Sequence, residues 1–394
     1  MYTLKDICNI AIRKITTTVF RVFFIFPIHK NRIMFESFEG QSYACNPKYI
    51  CEYLLANGNG KFDLVWSFIE PQGKNIPTGV IAVKKHSLNY LYYRFSSKIV
   101  ISNMTDPIYL PKRKTQKVIC TWHAGGAYKR VGDSFTKNAS KRKEWQMQQV
   151  RQRTDVWLSS SDLFTRYNII DAYGFTGTIL KTGMPRNDLF FSDDAIKMAA
   201  KKVHHNFDLD DCYVVLFAPT YRGDRVKEYN TGYELPRDAL VREIQKTQGK
   251  KVAFLYRSHY YVNNGNEGKA DGRDDARYIN ASTYPDMQEL LAASDMLITD
   301  YSSSIWDFAL TGKPCLLWVP DRKEYADERG TYTSIDTWPA VPCETVEELL
   351  ETVDNLNKID FKSIYQKHFS TFNSYETGNA AKMVCNYISN ECFG

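Results

Sequence analysis

At 394 residues the chain is long enough for two domains, and 43% hydrophobic against 24% charged residues excludes a disordered polymer. A net charge of +6 admits anionic partners such as membrane lipid, phosphorylated polymer or nucleotide, and makes no case for nucleic acid. Nine scattered cysteines, with no CxxC pair, indicate neither a zinc site nor a disulfide framework and fit a reducing, cytosolic setting.

No secretory signal is evident at the N-terminus. Leu4, Ile7, Cys8, Ala11, Ile15, Val19, Val22, Phe23 and Phe26 recur at three- and four-residue steps, with Arg13, Lys14 and Arg21 on the opposite side. This spacing predicts an amphipathic basic helix over 1–30, suited to lying on an anionic bilayer; the alternative is a helix packed into the core. Arg21 and Pro27 interrupt the apolar run, so it is too short and too charged to span.

Short apolar strands alternating with helical stretches follow. Arg32–Phe35, Phe62–Phe68, Val80–Val83, Lys98–Ser102, Lys117–Thr121, Val156–Ser159 and Thr178–Lys181 read as buried parallel strands, and Tyr213–Phe217, Lys251–Tyr256, Met296–Thr299 and Cys315–Val319 form a second series. A polar, helix-like connector over Ser192–Asp211 separates them. The economical reading is α/β: two Rossmann-like domains, 31–191 and 192–394, facing a cleft, with the last helix free to pack back on the first. Asn263–Asp275 reads as a polar loop.

In open α/β sheets ligands bind beyond the carboxyl ends of the strands, which directs attention to four junctions. After Lys117–Thr121, His123 can accept a proton from an attacking hydroxyl, and Gly125 and Gly126 let a substrate approach the backbone. The alternative is a histidine that only holds its loop. After Thr178–Lys181 come Arg186, Asn187 and Asp188. After Tyr213–Phe217 come Pro219, Thr220 and Arg222, the last a planar fork for phosphate oxygens or else a surface ion-pair partner. After Lys251–Tyr256, Arg257 and His259 could face a phosphate or leaving group, or merely line a surface loop.

A fifth feature is the strand Met296–Thr299, which empties into Asp300, Tyr301, Ser302, Ser303 and Ser304 before a helix near Ile305. Hydroxyls and free N–H groups there suit a phosphate, although Ser and Asp also cap helices for structural reasons alone. Asp307, in that helix, joins the candidate substrate-binding residues. No metal site is expected, because Asp295, Asp300 and Asp307 lack ligand spacing, and no cofactor is expected either. GxGxxG, Walker and GxSxG motifs are all missing.

Together these junctions resemble the CDP-glycerol glycerophosphotransferase family of teichoic acid primases and polymerases. The resemblance runs through Phe35-Glu36-Ser37-Phe38-Glu39-Gly40, Tyr43-Ala44-Cys45-Asn46-Pro47-Lys48, Trp122-His123, Gly183-Met184-Pro185-Arg186-Asn187-Asp188, Pro219-Thr220-Tyr221-Arg222 and Asp300-Tyr301-Ser302-Ser303. It closes on the tail Asp321 to Gly330, with Tyr325 and Arg329.

The resemblance implies a GT-B-like enzyme, peripheral on the cytoplasmic face of the membrane. It implies transfer of a polyol phosphate from a CDP-polyol donor to a hydroxyl of a polyprenyl-diphosphate-linked glycan acceptor, with release of CMP. His123 then resembles the general base, His259 and Arg222 donor-phosphate ligands, and Ser302 with Ser303 the pyrophosphate cradle. The turn Ala124-Gly125-Gly126-Ala127 is similar to that of single-addition primases, and so is a chain without room for a large extra N-terminal domain. CDP-ribitol is the alternative donor. A GT-B nucleotide-sugar glycosyltransferase and a non-catalytic membrane scaffold are the competing classes, and oligomeric state is open, a homo-oligomer included.

Overall fold

Strands with three or more consecutive buried apolar residues need cover on both faces, and both sheets of this protein are parallel throughout. The computed structural model describes residues 4–135, 141–220, 234–258 and 277–394. The chain divides into two units: Met1–Ala124, Val131–Asp188 and Ser374–Gly394 form the first, and Gly125–Arg130 with Leu189–Asn373 the second.

The first unit holds β1 (His29–Glu36), β2 (Asp63–Phe68), β3 (Val80–Lys84), β4 (Ser97–Ser102), β5 (Lys117–Cys120), β6 (Val156–Ser159) and β7 (Thr178–Lys181). Their order in the sheet is β3-β2-β1-β4-β5-β6-β7. The period-two alternation sorts side chains cleanly. Ile33, Phe35, Trp66 and Ile101 face one layer with Ile50, Cys51 and Leu54 of the helix Cys45–Asn57 and Val384, Cys385 and Ile388 of the helix Ala380–Phe393. Met34, Val65 and Val100 face the other, with Tyr90 and Phe95.

The second unit holds β8 (Cys212–Phe217), β9 (Lys251–Tyr256), β10 (Arg277–Asn280), β11 (Met296–Thr299), β12 (Cys315–Trp318) and β13 (Val341–Cys343), ordered β10-β9-β8-β11-β12-β13. β10 and β13 are the two edges, and neither was anticipated from sequence. An edge strand is covered less and tolerates proline, so Pro342 and the partly exposed Arg277–Asn280 carry no buried-strand signal. The stretch expected as a connector forms the helix Asp193–Phe207, capped by Ser192 and packed against the helix Met287–Ala293.

The N-terminal helix runs Leu4–Phe20 and continues as a 3-10 turn, Arg21–Ile25. Phe20, Phe23 and Phe24 pack on the cluster around Phe95, and the Thr17 hydroxyl donates to Tyr109 O at 3.1 Å. Phe23 and Phe26 were expected on the same face as Ile7 and Ile15; instead they turn inward, Phe26 against Tyr92. Ile7, Ile12, Ile15, Val19, Val22 and Ile25 remain exposed, the last by 81%. Among the described residues no helix is long and apolar enough to cross a membrane.

Candidate active site

A doubly wound sheet has a switch point where the strand order reverses, and the loops on either side of it part to leave a crevice. In the first sheet that point is β1/β4, in the second β8/β11. Polar residues that leave these strands at their carboxyl ends are therefore placed for chemistry by topology alone.

In the first unit, Glu36 pairs with Ser102 and Ser102 with Cys120, so Ser37, Asn103 and Thr121 leave adjacent strands together. His123 follows two residues later. Its Nδ1 lies 3.1 Å from Asn103 O. A carbonyl can only accept, so Nδ1 carries the proton, and in the neutral ring the lone pair is then on Nε2. The ring stacks on Trp122 at 4.6 Å between centroids, and Trp122 itself holds a left-handed φ of 53°. Asn46 secures this turn from the helix below by donating to Thr121 O at 3.1 Å and Trp122 O at 3.0 Å.

The junction after β7 is built inward. Arg186 is 2% exposed; its N–H donates to Asn46 Oδ1 at 3.2 Å and its guanidinium to Cys45 Sγ at 3.4 Å. Asn187 donates to Glu376 at 3.0 Å, whose other oxygen accepts from Met184 N. Asp188 accepts from Ala380 N at 2.9 Å and Ala381 N at 2.8 Å, capping the last helix, and burial holds its carboxyl above the ordinary range. Arg186 is thus tied through Asn46 to the turn that carries His123, Asn187 shares Glu376 with Met184, and Asp188 anchors the last helix.

In the second unit, Asp300 accepts from Thr220 N at 2.8 Å and the Thr299 hydroxyl donates to Ala218 O at 2.6 Å, tying the β8 and β11 exits together. The Thr220 hydroxyl is buried without a partner among the described residues. Pro219, partly buried, precedes it. Ser302 Oγ accepts from Ser304 N and from Ser304 Oγ, at 3.3 and 2.9 Å, and Ser303 caps the helix Ser304–Ala309 without a side-chain bond. That helix has six residues, so its dipole is weak and the hydroxyls carry the polarity.

Arg257 donates to Tyr284 O at 2.7 Å, and burial lowers its guanidinium to about 10, which leaves it a cation at neutral pH. Gly125 lies against Trp306 and Asp307, which fill the space a Cβ would need, so glycine is required there by packing. Asp307 is 4% exposed and accepts from Gln288 at 2.9 Å. Arg329 donates to Arg130 O at 2.9 Å. His259 and Arg222 lie outside the described residues, as does Asn263–Asp275. Among the described residues no group of three or more His, Cys, Asp or Glu could hold a metal ion.

Three residues that organise this chemistry were not singled out from sequence. Asn46 lay within a stretch noted only for its resemblance. Asn103 follows β4, and the short apolar run of that strand gives no local sign that it lies at the switch point. Glu376 acts on Met184 and Asn187 from nearly two hundred residues away.

The family described as CDP-Glycerol:Poly(glycerophosphate) glycerophosphotransferase matches residues 18–390. The teichoic acid poly(glycerol phosphate) polymerase of Bacillus subtilis (strain 168) is 28% identical over 407 aligned residues, 98% of this chain; the chain spans 52% of that relative's length. A teichoic acid glycerol-phosphate transferase of Staphylococcus aureus is 28% identical, with 91% of this chain and 93% of the relative covered. The solved structure of the wall teichoic acid polymerase TagF superposes with a TM-score of 0.80 at 25% identity, covering 99% of this chain and 96% of that one. A variant of TagF soaked with CDPG gives a TM-score of 0.81. Two parallel sheets in this arrangement are the GT-B-like fold, and the chain belongs to the CDP-glycerol:poly(glycerophosphate) glycerophosphotransferase family.

Proposed function

We propose that this protein transfers glycerol phosphate from CDP-glycerol to a hydroxyl of a polyprenyl-diphosphate-linked acceptor, releasing CMP, in teichoic acid or related polymer synthesis. The observation that carries the reading is His123, held at a switch point with its Nδ1–H given to Asn103 O, so that in the neutral ring the basic nitrogen is Nε2. The acceptor oxygen attacks the phosphorus that bears the polyol, and its proton passes to His123 Nε2. The bond from that phosphorus to the bridging oxygen breaks, and CMP leaves with that oxygen. Arg257, the Thr220 hydroxyl and the hydroxyls of Ser302 and Ser303 supply charge and hydrogen bonds to the donor phosphates, with His259 and Arg222 expected beside them. Positioning and charge neutralisation of this kind are most of what phosphoryl transfer needs.

The exposed stripe Ile7, Ile12, Ile15, Val19, Val22 and Ile25 supports docking on a bilayer, where a lipid-linked acceptor resides, with Lys14 and Arg21 exposed for anionic headgroups. The test is CMP release by the purified protein given CDP-glycerol or CDP-ribitol and a lipid-linked disaccharide, with mass spectrometry of the product. Acceptor-dependent release is expected, falling by at least about a hundred-fold in His123→Ala. Release with CDP-ribitol alone would change the donor; silence with both would refute the reading.

A further inference from the structure

We propose that Asn103 is a positioning residue for His123, acting through both its main chain and its side chain; this rests on His123 being the base. Its carbonyl accepts from His123 Nδ1 at 3.1 Å. Its side-chain Oδ1 accepts from Phe38 N at 2.7 Å. One residue therefore holds the imidazole and the turn that follows β1.

That turn is strained. Phe38, Glu39 and Gly40 have φ values of 46°, 57° and 90°, three left-handed residues in a row of which only the last is glycine. The far side of the turn is pinned, with Ile69 N donating to Gly40 O at 2.8 Å and Lys85 Nζ to Glu39 O at 2.9 Å. Its near side is held by Asn103 and carries the Phe38 ring to 6.0 Å from the imidazole, which stacks on Trp122 at 4.6 Å. Asn103 thus fixes where Nδ1 points and how Phe38 bounds the ring.

Stability gives a poor account of this arrangement. Phe38 N–H can only donate, so it must meet Oδ1, and Asn103 Nδ2 is left buried without a partner among the described residues, as is Ser37 Oγ. Two left-handed side chains and an orphaned amide are unfavourable, and the Asn103 side chain returns a single hydrogen bond, to Phe38 N. Strain that the surroundings hold in place beside a base is what a need for geometry produces.

The test compares Asn103→Leu, which keeps the volume and loses the acceptor, with Asn103→Asp, which keeps an oxygen for Phe38. Asn103→Leu is expected to lower kcat by about ten- to a hundred-fold with donor KM within about twofold, and Asn103→Asp to recover most of it. The second measurement is the histidine tautomer in the unmutated full chain by nitrogen-15 NMR, with His123→Ala assigning the signal. Protonation at Nδ1 of His123 is expected, and protonation at Nε2 would overturn the proposal even if both Asn103 variants fail to fold. A folded Asn103→Leu with unchanged kcat would overturn it too. His123→Ala tells the two ideas apart: loss there with an unaffected Asn103→Leu refutes only the positioning role, whereas full activity in His123→Ala refutes the base.

Discussion

Inside the second unit, His368 donates from Nδ1 to Thr337 O at 2.7 Å, and its Nε2 accepts from the Tyr128 hydroxyl at 3.1 Å. Trp306, Phe369 and Phe372 surround the ring. Burial pushes its pKa down from 6.5 to about 4, since a cation there has no water. An unfolded His368 takes up its proton near 6.5 and the folded one does not, so this residue's contribution is intact above pH 6.5 and is lost as pH falls from 6.5 to 4. The shift corresponds to roughly 3 kcal/mol. His368→Gln should therefore flatten the fall in denaturation midpoint between pH 7 and pH 4, and an unchanged slope would show that His368 does not bear that acid sensitivity. The residue types at the strand exits were legible in sequence; their partners were not. Arg186, Asn187 and Asp188 looked open to substrate because nothing local reveals Asn46, Glu376 and the helix Ala380–Phe393 closing on them.

Among elements, the helix Ala380–Phe393 depends on a cap supplied from afar. Its N-cap Asn379 makes no side-chain capping bond, and Asp188 satisfies two of its N–H groups. Asp188→Ala should cost about 1–2 kcal/mol in denaturant unfolding, and Asp188→Asn, which keeps one acceptor, less than half of that. The N-terminal helix Leu4–Phe20 makes the opposite case, since its exposed apolar side gains nothing from the protein. Changing Ile15 and Val19 to Asp should leave the thermal midpoint within a degree or two while reducing co-sedimentation with anionic vesicles at least about fivefold. Retention of full vesicle binding would place membrane contact elsewhere.

For the molecule as a whole, the last twenty-one residues belong to the first unit although the second intervenes in sequence. Val384, Cys385, Ile388 and Cys392 cover Ile33, Phe35 and Ile101 on one face of the first sheet. Truncation after Asn373 should leave that face bare, and limited proteolysis should then degrade the first unit before the second; equal resistance to protease would refute the dependence.

What the sequence determined by itself was local: strand by strand, apolar runs long enough to be buried, and at their ends residues with the chemistry of phosphate and proton transfer. Such runs predict eleven of the thirteen strands among the described residues, because period and hydrophobicity act over a few residues. Two of the eleven, β3 and β7, were expected as buried and are partly exposed edges, while the edges β10 and β13 carried too little apolar run to be predicted. Tertiary structure decided the rest. It set which exits lie together at β1/β4 and β8/β11, put Asn103 beneath His123, and returned the last helix to the first sheet. Those outcomes depend on contacts between residues distant in the chain, and no short-range pattern contains them.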